Sequence, residues 1–354
     1  MTYRASIIGC GRIASLFEDQ LAVQKPCTHA GAYSLIPEID IIAACDIRQD
    51  RLNKCSNRWG IKKLYLDYTE MLKKENLDIL SICTHAPEHH EICLVAAESG
   101  VRVIFCEKPM ATSLKEAEEM IEVCRKNNVI LAVDHTRRWD DRFIKVKKII
   151  ESAAIGQVDL LDCYTTVGLL NGGTHLFDLM RFYCGEVESV TGYIKRDKST
   201  DPGGIGLVRF KNGENAFVDS SWRDYVLFGI NIYGMKGMIK SFGMIRSNKD
   251  IVKMVPKDSI REPGTKELRG EKIITKGSKS PLYNAIKNLI GCLENGKKPS
   301  CTGEDGMAAL EIALAFHESE NQSHKEILLP LKNRELKVIP RETSFTKDGK
   351  IYEK

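Results

Sequence analysis

The chain has 354 residues, enough for two domains with separate hydrophobic cores. Its 43% hydrophobic and 28% charged content is that of a folded globular protein and excludes disordered or collagen-like chains. Lys plus Arg (52) exceeds Asp plus Glu (48) by only +4, spread without long runs of one sign, so no nucleic-acid or polybasic membrane surface is expected.

Short apolar runs at residues 5–8, 39–45, 79–83 and 101–105 read as strands. Amphipathic stretches at 51–59, 68–74 and 88–99 separate them, and a helix at 114–127 and a strand at 129–133 complete the series. Strands with little polar alternation are buried on both faces, which predicts a parallel sheet covered by helices. Ser113 and Glu116 have the spacing of a capping box for the 114–127 helix.

After a helix at 143–152 the rhythm changes. Longer, more alternating strands follow at 158–167, 187–194, 204–210, 216–221, 229–233 and 238–242, interrupted by one helix at 174–183. Turn signals such as Lys211-Asn212-Gly213 fit hairpins of a mostly antiparallel sheet. Helices at 282–294 and 305–320 precede a last short strand at 327–329. The fold class expected is α/β: a doubly wound parallel sheet at residues 1–135, an α+β domain at 136–330, and a polar tail at 331–354.

The 12 cysteines stand singly, never as Cys-x-x-Cys, and read as small core residues in a reducing compartment. Met1-Thr2-Tyr3-Arg4 lacks the long apolar region of a signal peptide, and no apolar stretch nears the roughly 18 residues of a membrane span, so a cytoplasmic location is expected.

Gly9-Cys10-Gly11-Arg12-Ile13-Ala14 is a G-x-G-x-x-A fingerprint directly after the first strand. Gly9 permits a tight turn, Gly11 lets the backbone approach a pyrophosphate, and Ala14 permits close packing of the helix expected to follow. That helix start offers free N–H groups to the phosphates. Asp46 ends the second strand, where a carboxylate binds ribose hydroxyls and repels a 2′-phosphate, favouring NAD over NADP. Its spacing exceeds the usual roughly 20 residues because 17–28 reads as an inserted loop. Arg12, Ile13 and Arg48 join this set, the two arginines being able to tolerate a phosphate.

Glu107-Lys108-Pro109 follows the 101–105 strand, at the carboxyl end where open α/β sheets bind ligands. Proline holds Lys108 extended, and a cationic nicotinamide nearby would depress its pKa, fitting it to relay a proton. Asn171 and His175 lie four apart at the start of a helix, on one face, behind a glycine-rich entry. A helix N-terminus favours neutral imidazole, the form a general base needs. Arg137 and Arg138 offer an anion clamp, or ordinary ion pairs with Asp140 or Asp141. The run His85, His89, His90, Glu91 contains Pro87 and reads as an exposed helix start, so no metal site is expected.

With these motifs the sequence resembles the Gfo/Idh/MocA family of glucose–fructose oxidoreductase, inositol dehydrogenase and rhizopine-catabolism proteins. The likeness includes Ile82-Cys83-Thr84 with His89, Cys106-Glu107-Lys108-Pro109, Thr136-Arg137-Arg138-Trp139, the Gly173–Asp178 helix entry, Tyr233-Gly234-Met235-Lys236-Gly237 and Asp305-Gly306…Ala309-Leu310-Glu311. It implies a Rossmann domain beside a large open sheet that forms homodimers or homotetramers. It implies that Thr84, His89 and Glu107 line the cofactor site. Lys108, Arg138, Thr165, Thr174 and His175 would then face a sugar-like or polyol substrate. The family pattern has Asp where this chain has Asn171, which leaves the base role on His175, with Lys108 as partner and Asn171 positioning. The short connection from 164–166 to 171 suggests an open pocket able to admit a glycoside. The reaction implied is oxidation of a secondary alcohol by NAD, with pyranoside C3 as the narrower expectation. The alternatives are an NAD-dependent glycosidase using transient oxidation, and a non-catalytic NAD-binding regulator.

Overall fold

The computed structural model describes residues 2–20, 24–195, 200–242, 251–273 and 279–340. Six parallel strands form the first sheet: β1 (Tyr3–Ile8), β2 (Ile39–Cys45), β3 (Lys63–Tyr65), β4 (Ile79–Ile82), β5 (Val103–Cys106) and β6 (Ile130–Val133). Their order is β3-β2-β1-β4-β5-β6, the doubly wound arrangement whose switch point lies between β1 and β4. Every residue of β4 and β5 is buried, as strands covered on both faces must be. β3, absent from the sequence reading, is a three-residue edge strand, too short and too exposed to leave a period.

The helices of this half are α1 (His29–Ser34), α2 (Gln49–Trp59), α3 (Tyr68–Lys74), α4 (Ala86–Glu98) and α5 (Leu114–Lys126). The helix expected directly after the glycine turn does not run on. Residues 11–15 make one turn, Leu16–Asp19 a 3-10 turn, and α1 starts only at His29. His29 N–H donates to Ile13 O (3.1 Å) and Ala30 N–H to Ala14 O (3.0 Å), so α1 resumes the helical path after the insertion. Glu18 holds the loop by accepting the N–H groups of Cys27 and Thr28 at 2.7 and 3.0 Å. Ser113 caps α5 by accepting Glu116 N–H, but the Glu116 carboxylate reaches Thr112 instead of closing the box on Ser113.

A 3-10 turn (Thr136–Trp139) and α6 (Asp141–Glu151) lead into the second sheet. Its strands are β7 (Val158–Thr165), β8 (Val187–Ile194), β9 (Gly204–Phe210), β10 (Asn215–Asp219), β11 (Phe228–Gly234), β12 (Gly237–Phe242), β13 (Ile251–Asp258), β14 (Lys266–Lys272) and β15 (Ile327–Leu328). The order is β14-β13-β12-β11-β7-β10-β9-β8-β15, antiparallel throughout except for the parallel pair β7–β10. Sequence reading missed β13 and β14 because an exposed hairpin has no buried face to impose alternation; all of β14 is exposed.

α7 (Thr174–Cys184) and α9 (Gly303–Asn321) cover one face of this sheet, while α9 also packs on α5 and β6 and α8 (Pro281–Asn295) lies against α1. The chain thus returns to the first sheet near its end. On the other face Tyr193, Ile205 and Phe217 are 49–56% exposed. The tail packs along α5 as far as Pro340, with Val338 N–H on Thr112 O and Arg334 on Glu118; residues 341–354 lie outside the described set. All 12 cysteines are free thiols, and all but Cys27 are buried.

Candidate active site

The glycine turn sits at the mouth of the switch point. Gly9 has φ +89°, and a Cβ there would fall 2.8 Å from the Cys83 carbonyl group, so only glycine fits between β1 and β4. Over Gly11 the space is open, the nearest atom to an added Cβ being an Arg51 guanidinium nitrogen at 3.8 Å. That opening beside a cation is the cradle a pyrophosphate requires. Asp46 Oδ2 accepts Cys10 N–H (2.7 Å) and Oδ1 accepts Arg48 N–H (2.8 Å), so the carboxylate is tied to the glycine turn itself. Arg48 is bonded through its side chain to Asp50, and the Arg12 guanidinium lies over the Phe17 ring at 4.5 Å. Ile13 is half-buried in the same turn.

Lys108 projects from the loop after β5, and its peptide to Pro109 is cis. Its Nζ donates to Asn171 O (2.8 Å) and Asn171 Oδ1 (2.9 Å), bridging the two sheets. Asn171 belongs to a π-helical segment, Gly168–Gly173, that runs into α7, where His175 lies one turn further on. The Asp201 carboxylate holds this segment by accepting Leu170 and Asn171 N–H, each at 2.8 Å. His175 Nδ1 is buried, and its ring meets the His135 ring edge-on at 5.4 Å. Burial first, then the charges of Arg137, Lys108 and His135, hold the His175 imidazole well below its ordinary pKa, in the neutral form.

Other expected residues have different surroundings. Arg138 is engaged within the protein: its Nε and Nη2 grip the fully buried Asp178 at 2.9 and 2.8 Å, and Nη2 also meets Asp305 at 3.1 Å. Its ion-pair partner is therefore not Asp140, which binds Arg142. Arg137 is buried, its guanidinium 3.5 Å over the Phe228 ring, and burial pushes its pKa down to about 9. Thr174 Oγ1 donates to Leu170 O, and the Thr165 side chain packs on Gly172. His89 is 1% exposed with both ring nitrogens at 3.1 Å from main-chain carbonyls, of Pro109 and Thr84, so its ring offers no free edge to a ligand. His90 meets Glu119 at 2.7 Å, so the 85–91 run splits between partners.

Glu107 is drawn into a buried cluster that sequence reading did not foresee. His29 Nε2 lies 3.2 Å from Glu107 and 3.5 Å from Asp134, while His29 Nδ1 bonds Ser81 Oγ, itself bonded to Tyr33. These His29, Glu107 and Asp134 atoms lie within 4.8 Å of one another, close enough to hold a metal ion. Burial opposes charge on His29, but Cys83, Asp134 and Glu107 outweigh it and hold the imidazole well above its ordinary pKa. Burial and the Glu107 charge push Asp134 up to about 7. An imidazolium between two carboxylates thus accounts for the cluster without an ion. His29 follows the inserted loop and Asp201 stands in a Pro-Gly-Gly turn, so no local spacing links either to the site.

A doubly wound sheet that carries an open phosphate cradle and a lysine, joined through that lysine to the turn before a neutral histidine of the second half, defines a nicotinamide-dependent dehydrogenase. Residues 3–135 match the "Oxidoreductase family, NAD-binding Rossmann fold" and residues 165–240 the "GFO/IDH/MocA C-terminal domain". The chain belongs to the Gfo/Idh/MocA oxidoreductase family and is a dehydrogenase acting on CH–OH donors. It is 28% identical to myo-inositol 2-dehydrogenase of Thermotoga maritima, over 89% of this chain and 96% of that protein. To D-apiose dehydrogenase of Paraburkholderia graminis it is 25% identical, over 90% and 88% of the two chains. Levoglucosan dehydrogenase in complex with NADH and levoglucosan shares the fold, with a TM-score of 0.78 at 18% identity over 93% of this chain and 100% of that one. Among the described residues no helix is long and apolar enough to cross a membrane.

Proposed function

We propose that this dehydrogenase oxidises a secondary alcohol on a cyclic polyol, sugar or glycoside, with His175 as the base and Lys108 as its partner. Residues 1–135 hold the dinucleotide, and the substrate lies between them and residues 136–330. Bound NAD supplies the hydride acceptor. The observation that carries the reading is Lys108 Nζ held on Asn171, one turn before an imidazole kept neutral by its surroundings. With Nδ1 buried, Nε2 is the His175 edge left to take a hydroxyl proton. The Lys108 ammonium then stabilises the oxyanion that forms as the hydroxyl loses its proton.

The relatives act on inositol and apiose by name, and one is solved with levoglucosan, which supports a sugar or polyol substrate. Pyranoside C3 is the carbon we favour within that class. The same residues serve ketone reduction in reverse. Asp46 at the end of β2 favours NAD over NADP, because Arg48 is engaged by Asp50 and Arg12 by Phe17. The open face bearing Tyr193, Ile205 and Phe217 suits a second copy of the chain, giving a homodimer or homotetramer.

Screening NAD reduction against polyols, monosaccharides and glycosides tests the activity. Accumulating NADH supports net oxidation, whereas glycoside cleavage without NADH identifies a hydrolase that regenerates its cofactor. Lys108→Met is expected to lower kcat by about 10²–10⁴ while NAD still binds. An unchanged kcat removes the assignment.

A further inference from the structure

The Lys108 ammonium donates two hydrogen bonds to Asn171, both to uncharged oxygens. A carboxylate nevertheless stands directly behind that residue. Asp201, 1% exposed, divides its two oxygens between the N–H groups of Leu170 and Asn171, each at 2.8 Å. Its own carbonyl accepts Trp222 Nε1–H at 2.7 Å, which fixes the Asp201 backbone just ahead of β9. Gly168 has φ +81°, and a Cβ there would lie 2.4 Å from Asp201 Oδ2, so the turn is shaped around the carboxylate.

Resting on the Lys108–His175 reading above, we propose that Asp201 is a positioning residue for that pair. Its carboxylate sets the 168–173 turn that presents Asn171 to Lys108, and it supplies negative charge that balances the lysine ammonium. Burial pushes the Asp201 carboxyl up to about 6, and the Leu170 and Asn171 N–H groups and the Lys108 charge oppose that rise. The other titratable groups around Lys108 are Glu107 on its own loop, His135 after β6 and His175 on α7. Glu107 also acts on the lysine from its own loop but is bonded to His29, and both histidines are held neutral, so among these groups Asp201 is the anion contributed by the second sheet.

Asp201→Asn is close in shape but loses the charge and one of the two acceptors. Competitive acetylation of Lys108 with acetic anhydride across pH, read by peptide mass spectrometry, reports its protonation without needing a substrate. The midpoint is expected to move down by about one pH unit in D201N. It should return toward wild type in D201N/N171D, where a carboxylate is placed on the lysine directly. With an oxidisable alcohol in hand, kcat should fall at least about tenfold in D201N with NAD affinity unchanged, and recover in the double variant. Gly168→Ala, which displaces the carboxylate but leaves it charged, gives a second handle and should also lower kcat. A Lys108 midpoint unmoved in folded D201N overturns the proposal, as does an unchanged kcat in G168A. A midpoint that moves in a protein that reduces NAD with no alcohol upholds Asp201 and removes the proposed function instead.

Discussion

Replacing Arg138 with methionine separates two roles for this residue. As a substrate arginine it would cost affinity; as the clamp the structure shows, it costs stability. The guanidinium is 10% exposed and makes two bonds to Asp178, a carboxylate with no exposure, plus one to Asp305. Methionine replaces much of the stem's volume, so the cost is dominated by the carboxylate left behind. Asp305 keeps Arg181 at 3.2 Å and its place in the cap of α9, whereas among the described residues the Asp178 carboxylate keeps the Cys301 thiol at 4.0 Å. Stranding one buried partner costs about 3–5 kcal/mol. At about 2–4 °C per kcal/mol for a large domain, R138M should melt about 6–20 °C below wild type. Asp178→Leu added to R138M should recover most of that, since an apolar pair replaces a buried ion pair at little net cost. Thermal unfolding followed by circular dichroism, with steady-state kinetics at 25 °C, reads both quantities. A melting change under about 2 °C, together with a KM increase for an anionic substrate, would refute the clamp.

Gly9→Ala forces a left-handed alanine and a 2.8 Å contact with the Cys83 backbone, so NAD affinity by calorimetry should fall more than about tenfold; an unaltered Kd counts against the cradle. For the oxidation, the neutral His175 is active above its pKa and lost as pH falls through it. Burial and the neighbouring Arg137 and Lys108 charges lower that pKa, and Asp201 protonates only near about 6, so kcat/KM should hold down to about pH 6. An acid limb at pH 7 or above contradicts this placement. His29→Leu leaves Glu107 and Asp134 facing each other without their cation, costing about 3–5 kcal/mol. The His29 imidazolium contributes fully below its ordinary pKa and less as pH rises through its raised value, so the loss should be no smaller at pH 5 than at pH 8; a loss that vanishes at pH 5 would argue against a charged imidazole.

The parts of the fold that were legible in sequence are those where one physical demand acts locally. A strand covered on both faces must be apolar throughout, so β4 and β5 stood out. β14 is exposed throughout and β13 fully buries Ile251 alone, so neither left such a trace. At the site, the glycine turn, Lys108 and the Asn171–His175 pair each have a local rationale of backbone freedom or helical spacing. Arg138 shows the limit. Two adjacent arginines before two aspartates admit an anion site or a local ion pair, yet the partner that wins, Asp178, lies 40 residues away. Asp201 reaches Leu170 from 31 residues away and His29 reaches Glu107 from 78, distances at which sequence spacing carries no geometric information.

These long-range contacts share a mechanical consequence. α7 carries the candidate base, and it is gripped along its length by elements of both sheets. Lys108 from the first sheet and Asp201 from the second fix the turn that opens it. One turn on, Arg138 from the segment after β6 holds Asp178, and a further turn on, Arg181 is tied to Asp305 at the start of α9. Charged hydrogen bonds of this kind are directional, so they resist rotation of α7 about its axis as well as its withdrawal. A base fixed in this way keeps its distance to the lysine whether or not substrate is present, which is what preorganisation of a proton transfer requires. Charge thus sets the geometry where the two halves meet, while apolar packing stabilises each sheet.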